Sequence, residues 1–269
     1  MKDKRVLYVS SEVIPYLPET EISSMSFEAP RMVNSNQGQI RIFMPRYGNI
    51  NERRHQLHEV IRLSGMNLVI NDMDVPLIIK VASIPKERMQ VYFIDNEDYF
   101  KRKATYTDED GNFFPDNDER AIFFAKGVIE TVKKLNWSPD IIHVHGWMAS
   151  FLPLYLKNYY ANEPLFENSK VIISLYGEGF EGTLDKNVTE KIKFDGIDEE
   201  IILELKNPNY VSMMKVAIKN SDAVIIGSKE IPEELVDYLN KIEKPVLKYL
   251  KKDEFSQAYL DFCHTKVLQ

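Results

Sequence analysis

The sequence contains one cysteine, Cys263, among its 269 residues, so no internal disulfide can form. No apolar run approaches the roughly 20 residues that a transmembrane helix needs. The N-terminal residues MKDKRVLYVSSEV lack the charged, apolar and small-residue regions of a signal peptide. These absences favour a reducing compartment, and we expect the protein to be cytoplasmic.

Positive charge is also scarce, because 34 lysines and arginines face 41 aspartates and glutamates, giving a net charge of −7. Nucleic acids and anionic membranes attract basic surfaces, so this balance argues against both as partners. The acidic stretch TDEDGNFFPDNDE is not an EF-hand loop, because a turn glycine at Gly111 puts Tyr106 and Asn117 at its two end positions. We expect no metal and no cofactor.

Glycine is missing where a nucleotide-binding protein usually has it. The stretch PYLPETEISS follows a strand-like run, RVLYVSSEV, and glycines in such a loop bring backbone N–H groups against phosphate. This loop has no glycine and no lysine, and it carries two carboxylates. The positions concerned are Pro18, Glu19, Thr20 and Glu21.

Short apolar runs bounded by polar or turn residues are present instead, and they are typical of strands buried on both faces. They are Val6–Val9, Ile40–Met44, Val91–Ile94, Ile141–Val144, Val171–Leu175 and Ala223–Ile226. Segments with helical spacing lie between them, which predicts a doubly wound, mostly parallel α/β sheet. A turn-rich break within residues 66–80 predicts an antiparallel hairpin.

Two strand ends carry candidate ligand contacts. His143 and His145 lie on the same side of a predicted strand, and the carboxyl ends of parallel strands border the ligand crevice. A metal pair is disfavoured because no third ligand is evident nearby, and two histidines capping a strand remain an alternative. After the next strand come Tyr176, Gly177 and Glu178, in a glycine-containing loop that also fits ordinary turn chemistry.

The order of the motifs is more specific than any one of them. The segments VLYVSSEVIPY, IRIFMPRYG, FFPDNDERAIFF, PDIIHVHGW and DAVIIGSKEI occur in this order. Together they resemble the N-terminal half of bacterial glycogen synthases and plant starch synthases. The resemblance implies a Rossmann-like lobe of a two-lobed GT-B glycosyltransferase. We expect residues 1–235 to form this lobe and residues 236–269 to form a helical tail that packs on it.

The same resemblance shows departures at the site. The family loop carries a lysine and glycines that face the donor diphosphate, and here the lysine aligns with Pro18 and the paired glycines with Thr20 and Glu21. A family histidine that contacts the reacting glucose aligns with Tyr176, and a family aspartate aligns with Gly146. The resemblance therefore supplies no catalytic residue at these positions.

Three functions are compatible with these features. The first is a non-catalytic relative that binds glucan, maltooligosaccharide or a protein partner at the exposed cleft face. The second is an active ADP-glucose-dependent glucosyltransferase, alone or completed by a separate chain that supplies the nucleotide lobe. The third is a different small-molecule binder or enzyme that uses the crevice around His143, His145, Tyr176 and Glu178.

Overall fold

The computed structural model describes residues 1–269, apart from the side chains of residues 252 and 253. The described residues form one ten-stranded sheet in the order β10-β9-β8-β7-β1-β2-β6-β5-β3, with β4 paired to β5. The strands are β1 Arg5–Ser10, β2 Gln39–Pro45, β3 His58–Glu59, β4 Met66–Ile70, β5 Met73–Ile84, β6 Met89–Asp95, β7 Ile141–His145, β8 Lys170–Leu175, β9 Ala223–Ile226 and β10 Val246–Leu247.

Helices connect the strands and cover the sheet. They are α1 Glu21–Ser35, α2 Glu52–His55, α3 Glu97–Phe100, α4 Asn117–Lys134, α5 Phe151–Lys157, α6 Val188–Phe194, α7 Tyr210–Lys219, α8 Glu233–Leu239 and α9 Lys252–Phe262. Short 3-10 turns occupy Trp147–Ala149, Pro164–Phe166 and Glu199–Lys206, and a π-turn occupies Cys263–Val267. Within the described part of the chain, no helix has the length and apolarity needed to cross a membrane.

The run of strands from β10 to β6 is parallel throughout, which confirms the predicted α/β sheet. Each predicted buried run lies inside one of these strands, and all five residues of β7 are buried. Parallel strands covered on both faces have no polar side, so their sequences are continuously apolar rather than alternating.

The predicted hairpin is also present, as β4 and β5 pair in antiparallel register. The connection is made by Asn71 and Asp72, whose φ angles are 46° and 64°. Two consecutive residues with left-handed backbone form the tight turn that matches the twist of paired strands, and Asn and Asp tolerate this conformation.

The segment 236–269 is largely helical, as predicted, but it also contains β10, which extends the sheet beside β9. Helix α9 packs against α1, and the hydroxyl of Tyr259 lies 2.9 Å from that of Tyr8 in β1. The tail therefore covers the face of the sheet next to α1. A domain division at residue 235 stays a prediction.

Candidate functional site

The candidate site lies at the carboxyl ends of β1, β7, β8 and β9, where α1 begins. The loop from β1 enters α1 through a reciprocal cap: the Thr20 side chain accepts the Ser23 N–H at 3.0 Å, and the Thr20 N–H donates to Ser23 Oγ at 2.8 Å. Two hydroxyl side chains thus satisfy backbone groups that an anion otherwise binds at a helix start. The start of α1 therefore contains no glycine and is capped by side chains.

Carboxylates surround this cap. Glu12 accepts hydrogen bonds from the hydroxyls of Thr20 at 2.8 Å and Tyr106 at 3.0 Å. On the other side, the hydroxyl of Ser228 donates to Glu21 and accepts the N–H of Gly177 at 2.9 Å. The loop residues Thr20 and Glu21 are therefore anchored by the protein's own groups.

A third carboxylate, that of Glu178, lies close enough to the backbone N–H of Glu21, the first residue of α1, for this N–H to stabilise its charged form. Partial burial of the carboxyl group raises the pKa of Glu178, the negative charges of Glu12 and Glu21 raise it further, and the backbone hydrogen bond opposes the rise. An internal anion thus occupies the start of α1, which is the place where the positive end of a helix attracts phosphate.

Beneath the loop, His143 belongs to a buried hydrogen-bond chain. Its Nε2 lies 2.8 Å from Ser174 Oγ, and its Nδ1 lies 3.0 Å from the hydroxyl of Tyr259. The Tyr8 hydroxyl donates to the carbonyl oxygen of Ala29 at 3.2 Å, so it must accept from Tyr259. Because each hydroxyl has one proton, Tyr259 then accepts from His143, whose proton is on Nδ1.

His145 lies against His143, with ring centroids 3.9 Å apart, and its Nδ1 is 2.7 Å from the hydroxyl of Tyr176. Its Nε2 has no hydrogen-bond partner among the described residues. Burial lowers the pKa of His145 to about 3 and lowers that of His143 well below its ordinary value. Both rings are therefore neutral at physiological pH and contribute no positive charge to the edge of the sheet.

The predicted contact residues divide into two groups. Gly177 and Glu178 are exposed at the mouth of the crevice. His143 and His145 are fully buried and Tyr176 is 1% exposed, so these three do not face the crevice, because α9 and the loops cover them. Ligand contact through any of the five stays a prediction. Among residues with described side chains, no group of three or more His, Cys, Asp or Glu is arranged to hold a metal ion.

Three residues of the site were not found from the sequence. Ser228 follows β9, and its position at the end of a predicted strand was the available signal. Gly227 allows Tyr176 to lie close, since a Cβ at this glycine would meet the Tyr176 ring at 2.5 Å. Tyr259 is in the tail, and nothing local in the sequence connects it with His143.

A mostly parallel sheet of this order, with helices connecting its strands and the candidate site at the strands' carboxyl ends, is a Rossmann-like α/β fold. The model of the starch synthase catalytic domain matches residues 5–244, and the chain belongs to this family.

The relatives are consistent with that membership. The chain is 35% identical to a glycogen synthase of Chlorobium luteolum over 237 residues, which covers 87% of this chain and 48% of the relative. It is 36% identical to a glycogen synthase of Chlorobium phaeobacteroides, with 84% and 46% covered. The chain thus spans about half the length of the curated relatives it matches.

A solved structure shows the same fold. The catalytic domain of starch synthase IV from Arabidopsis thaliana, bound to ADP and acarbose, superposes with a TM-score of 0.74 at 16% identity. The match covers 93% of this chain and 52% of that one. This confirms the predicted N-terminal lobe.

Proposed function

We propose that this chain is a non-catalytic member of the starch synthase family that binds glucan at its crevice. The observation that carries the proposal is the group of carboxylates at the start of α1, where Glu12 accepts from Thr20, Glu21 accepts from Ser228, and Glu178 lies beside them. In the resembling enzymes, this loop faces the donor diphosphate. Transfer of glucose from ADP-glucose develops negative charge on the leaving phosphate, and fixed donors and cations must stabilise it.

The charge at this position has the wrong sign for that chemistry. Like charges about 4 Å apart repel by about 4 kcal/mol at an effective dielectric constant of 20. The start of α1 carries Glu21 and Glu178, with Glu12 beside them, and the loop contributes no cation. A diphosphate placed here would meet carboxylates instead of the family's lysine and glycine N–H groups.

The other two departures are fixed by packing. Gly146 has a φ of 78°, and a Cβ at this position would lie 2.4 Å from Ser11 Oγ, so an aspartate does not fit without rearrangement. Tyr176 takes the family histidine's position, with its ring against Gly227 and its hydroxyl on His145. The residues at these two positions are therefore held in place by their neighbours.

The crevice retains surface suited to sugar. A groove of 590 Å³ is lined by the loop around Gly179 and Phe180 and by Asn209 and Tyr210 of the α7 start. Phe180 stacks on Phe113 with ring centroids 4.9 Å apart. Aromatic faces with a few polar groups beside them are the usual composition of small-molecule sites.

The catalytic part of the proposal is tested by incubation with labelled ADP-glucose and a glycogen primer, beside an active glycogen synthase as positive control. We expect no incorporation above background and no heat of ADP binding by calorimetry. Incorporation above background refutes the proposal. A crystal structure with ADP phosphates against residues 19–22 refutes the electrostatic argument on which it rests.

The binding part is tested by thermal unfolding with increasing maltoheptaose. A ligand of the folded state raises the melting temperature with concentration, as RT ln(1 + [L]/Kd). We expect such a rise, and we expect Phe180→Ala to reduce it while Phe194→Ala, at a 58% exposed phenylalanine elsewhere, does not. A melting temperature independent of maltoheptaose contradicts glucan binding and leaves a protein partner at the cleft face as the target.

A second candidate function is a glucosyltransferase completed by a separate chain that supplies the nucleotide lobe. The observation in its favour is that the match to the starch synthase catalytic domain extends over residues 5–244, so the scaffold of this lobe is retained. This candidate predicts that affinity capture from the source cells recovers a nucleotide-lobe protein, and that the captured complex incorporates glucose. Capture without such a protein, or a complex without activity, counts against it.

A further inference from the structure

We propose that the cavity between α1 and the C-terminal segment binds a small molecule that joins an apolar ring to a positively charged amine. The cavity has a volume of 390 Å³, within the range of small-molecule sites. None of its lining residues also lines the groove at Gly179, and its occupant is independent of the glucan proposal.

The cavity has two apolar walls from different parts of the chain. Met25 and Met32 of α1 form one, and Leu250 and Phe255 of the C-terminal segment form the other. Methionine side chains are flexible and polarisable, so they adapt to ligands of different shape. Because both walls are needed, the cavity exists only while the C-terminal segment is docked on α1, and a ligand inside it holds the two together.

The polar groups of the cavity select for positive charge. The guanidinium of Arg31 is paired with Glu28, with Nε 3.0 Å from Oε2, so the positive charge of Arg31 is offset by a carboxylate. Glu21, at the start of α1, adds a second carboxylate to the lining; it accepts a hydrogen bond from Ser228 and keeps its negative charge, near that of Glu178. The rings of Phe255 and Tyr249 add faces that attract cations.

This site lies partly outside the region that defines the family. The family match ends at residue 244, whereas Tyr249, Leu250, Phe255 and Ser256 line the cavity from the C-terminal side. Its ligand is therefore not expected to be a nucleotide-sugar, and the carboxylate of Glu21 further disfavours phosphate.

The test is a titration of the full chain, labelled with ¹³C at the methionine methyls, with phenethylamine and with 3-phenylpropionate. The two probes have similar apolar bodies and opposite charges. We expect saturable chemical-shift changes at the methyls of Met25 and Met32 with the amine. The affinity for the anion should be lower by about tenfold or more. Bound amine should also slow amide exchange in residues 254–262.

Variants separate charge from shape. Glu21→Gln should weaken amine binding by about tenfold and strengthen binding of the anion, whereas Glu109→Gln, on a distant exposed loop, should change neither. Ser256→Trp, which places a ring in the cavity, should abolish binding while the protein stays folded. The proposal is overturned by an absence of saturable shifts, by shifts confined to other methionines, or by equal affinity for the two probes.

Discussion

Replacement of Tyr259 by phenylalanine tests whether the tail is bonded into the core through His143. The ring and its packing are kept, and only the hydroxyl is removed. In the native chain, the hydroxyl of Tyr259 accepts from His143 Nδ1–H and donates to Tyr8. Tyr259→Phe therefore leaves the fully buried Nδ1–H of His143 without an acceptor, while the Tyr8 hydroxyl keeps its hydrogen bond to the carbonyl of Ala29.

A buried donor left without a partner costs about 1–3 kcal/mol, so the free energy of unfolding should fall by that amount. The assay is urea unfolding at pH 7.5, followed by the fluorescence of Trp137 and Trp147, with an unchanged m-value showing that the same surface unfolds. Tyr249→Phe, at a tyrosine that is 38% exposed, is the matched control and should change stability by less than about 0.5 kcal/mol.

Two results would refute the reasoning. One is a Tyr259→Phe protein as stable as the wild type, which would mean that the hydroxyl is not needed in the core. The other is ¹⁵N NMR of His143 with the proton on Nε2, since the direction of the hydrogen-bond chain requires it on Nδ1.

Three further predictions concern the same edge of the sheet. Because the pKa of His145 is lowered to about 3, the ring stays neutral in the folded protein, whereas in the unfolded chain it protonates below about pH 6.5; the protein therefore loses stability as the pH falls. Urea unfolding at pH 7.5 and 5.5 should show that His145→Gln reduces this loss of unfolding free energy by about 1.4 kcal/mol. His264→Gln is the surface control. Gly146→Ala should lower the melting temperature more than Gly111→Ala, because both glycines have positive φ but a Cβ meets other atoms only at Gly146. Because the pKa of Glu178 is raised in the folded protein, its contribution to stability is present below its ordinary pKa and is lost as the pH rises through the folded value. Glu178→Gln should therefore raise the melting temperature at pH 7 and leave it unchanged at pH 4. A lower melting temperature of the variant at pH 7 would contradict this.

The sheet could be predicted from the sequence because its signal is local. Runs such as Ala223–Ile226 are apolar at every position, and strands covered on both faces are built that way. The hairpin was predictable for the same reason, since Asn71 and Asp72 suit the turn that joins its strands. Neither prediction required knowledge of which strands are neighbours.

The burial of the histidines was not predictable, because it depends on contacts between distant segments. Alternation placed His143 and His145 on one face of β7, which is correct. Their accessibility depends on Tyr259, which is 116 residues from His143 in the sequence, and helical spacing in the tail does not indicate which strand it covers. Likewise, the loop sequence showed a carboxylate at Glu21 but not that the carboxylate of Glu178 would lie beside it.

The free-energy cost of displacing α9, compared with that of moving Glu178, indicates where a ligand can enter the crevice. Lifting α9 exposes Phe255, Tyr259 and Phe262, which are at most 7% exposed, and each buried side chain of this size contributes about 1.5–3 kcal/mol. Moving Glu178, which is exposed, separates its carboxylate from the N–H of Glu21, and this costs about 1 kcal/mol at most. A ligand that enters beside Glu178 therefore needs far less binding energy than one that reaches His143. For this reason the groove at Gly179 and Phe180, and not the histidine pair, is where we expect glucan to bind.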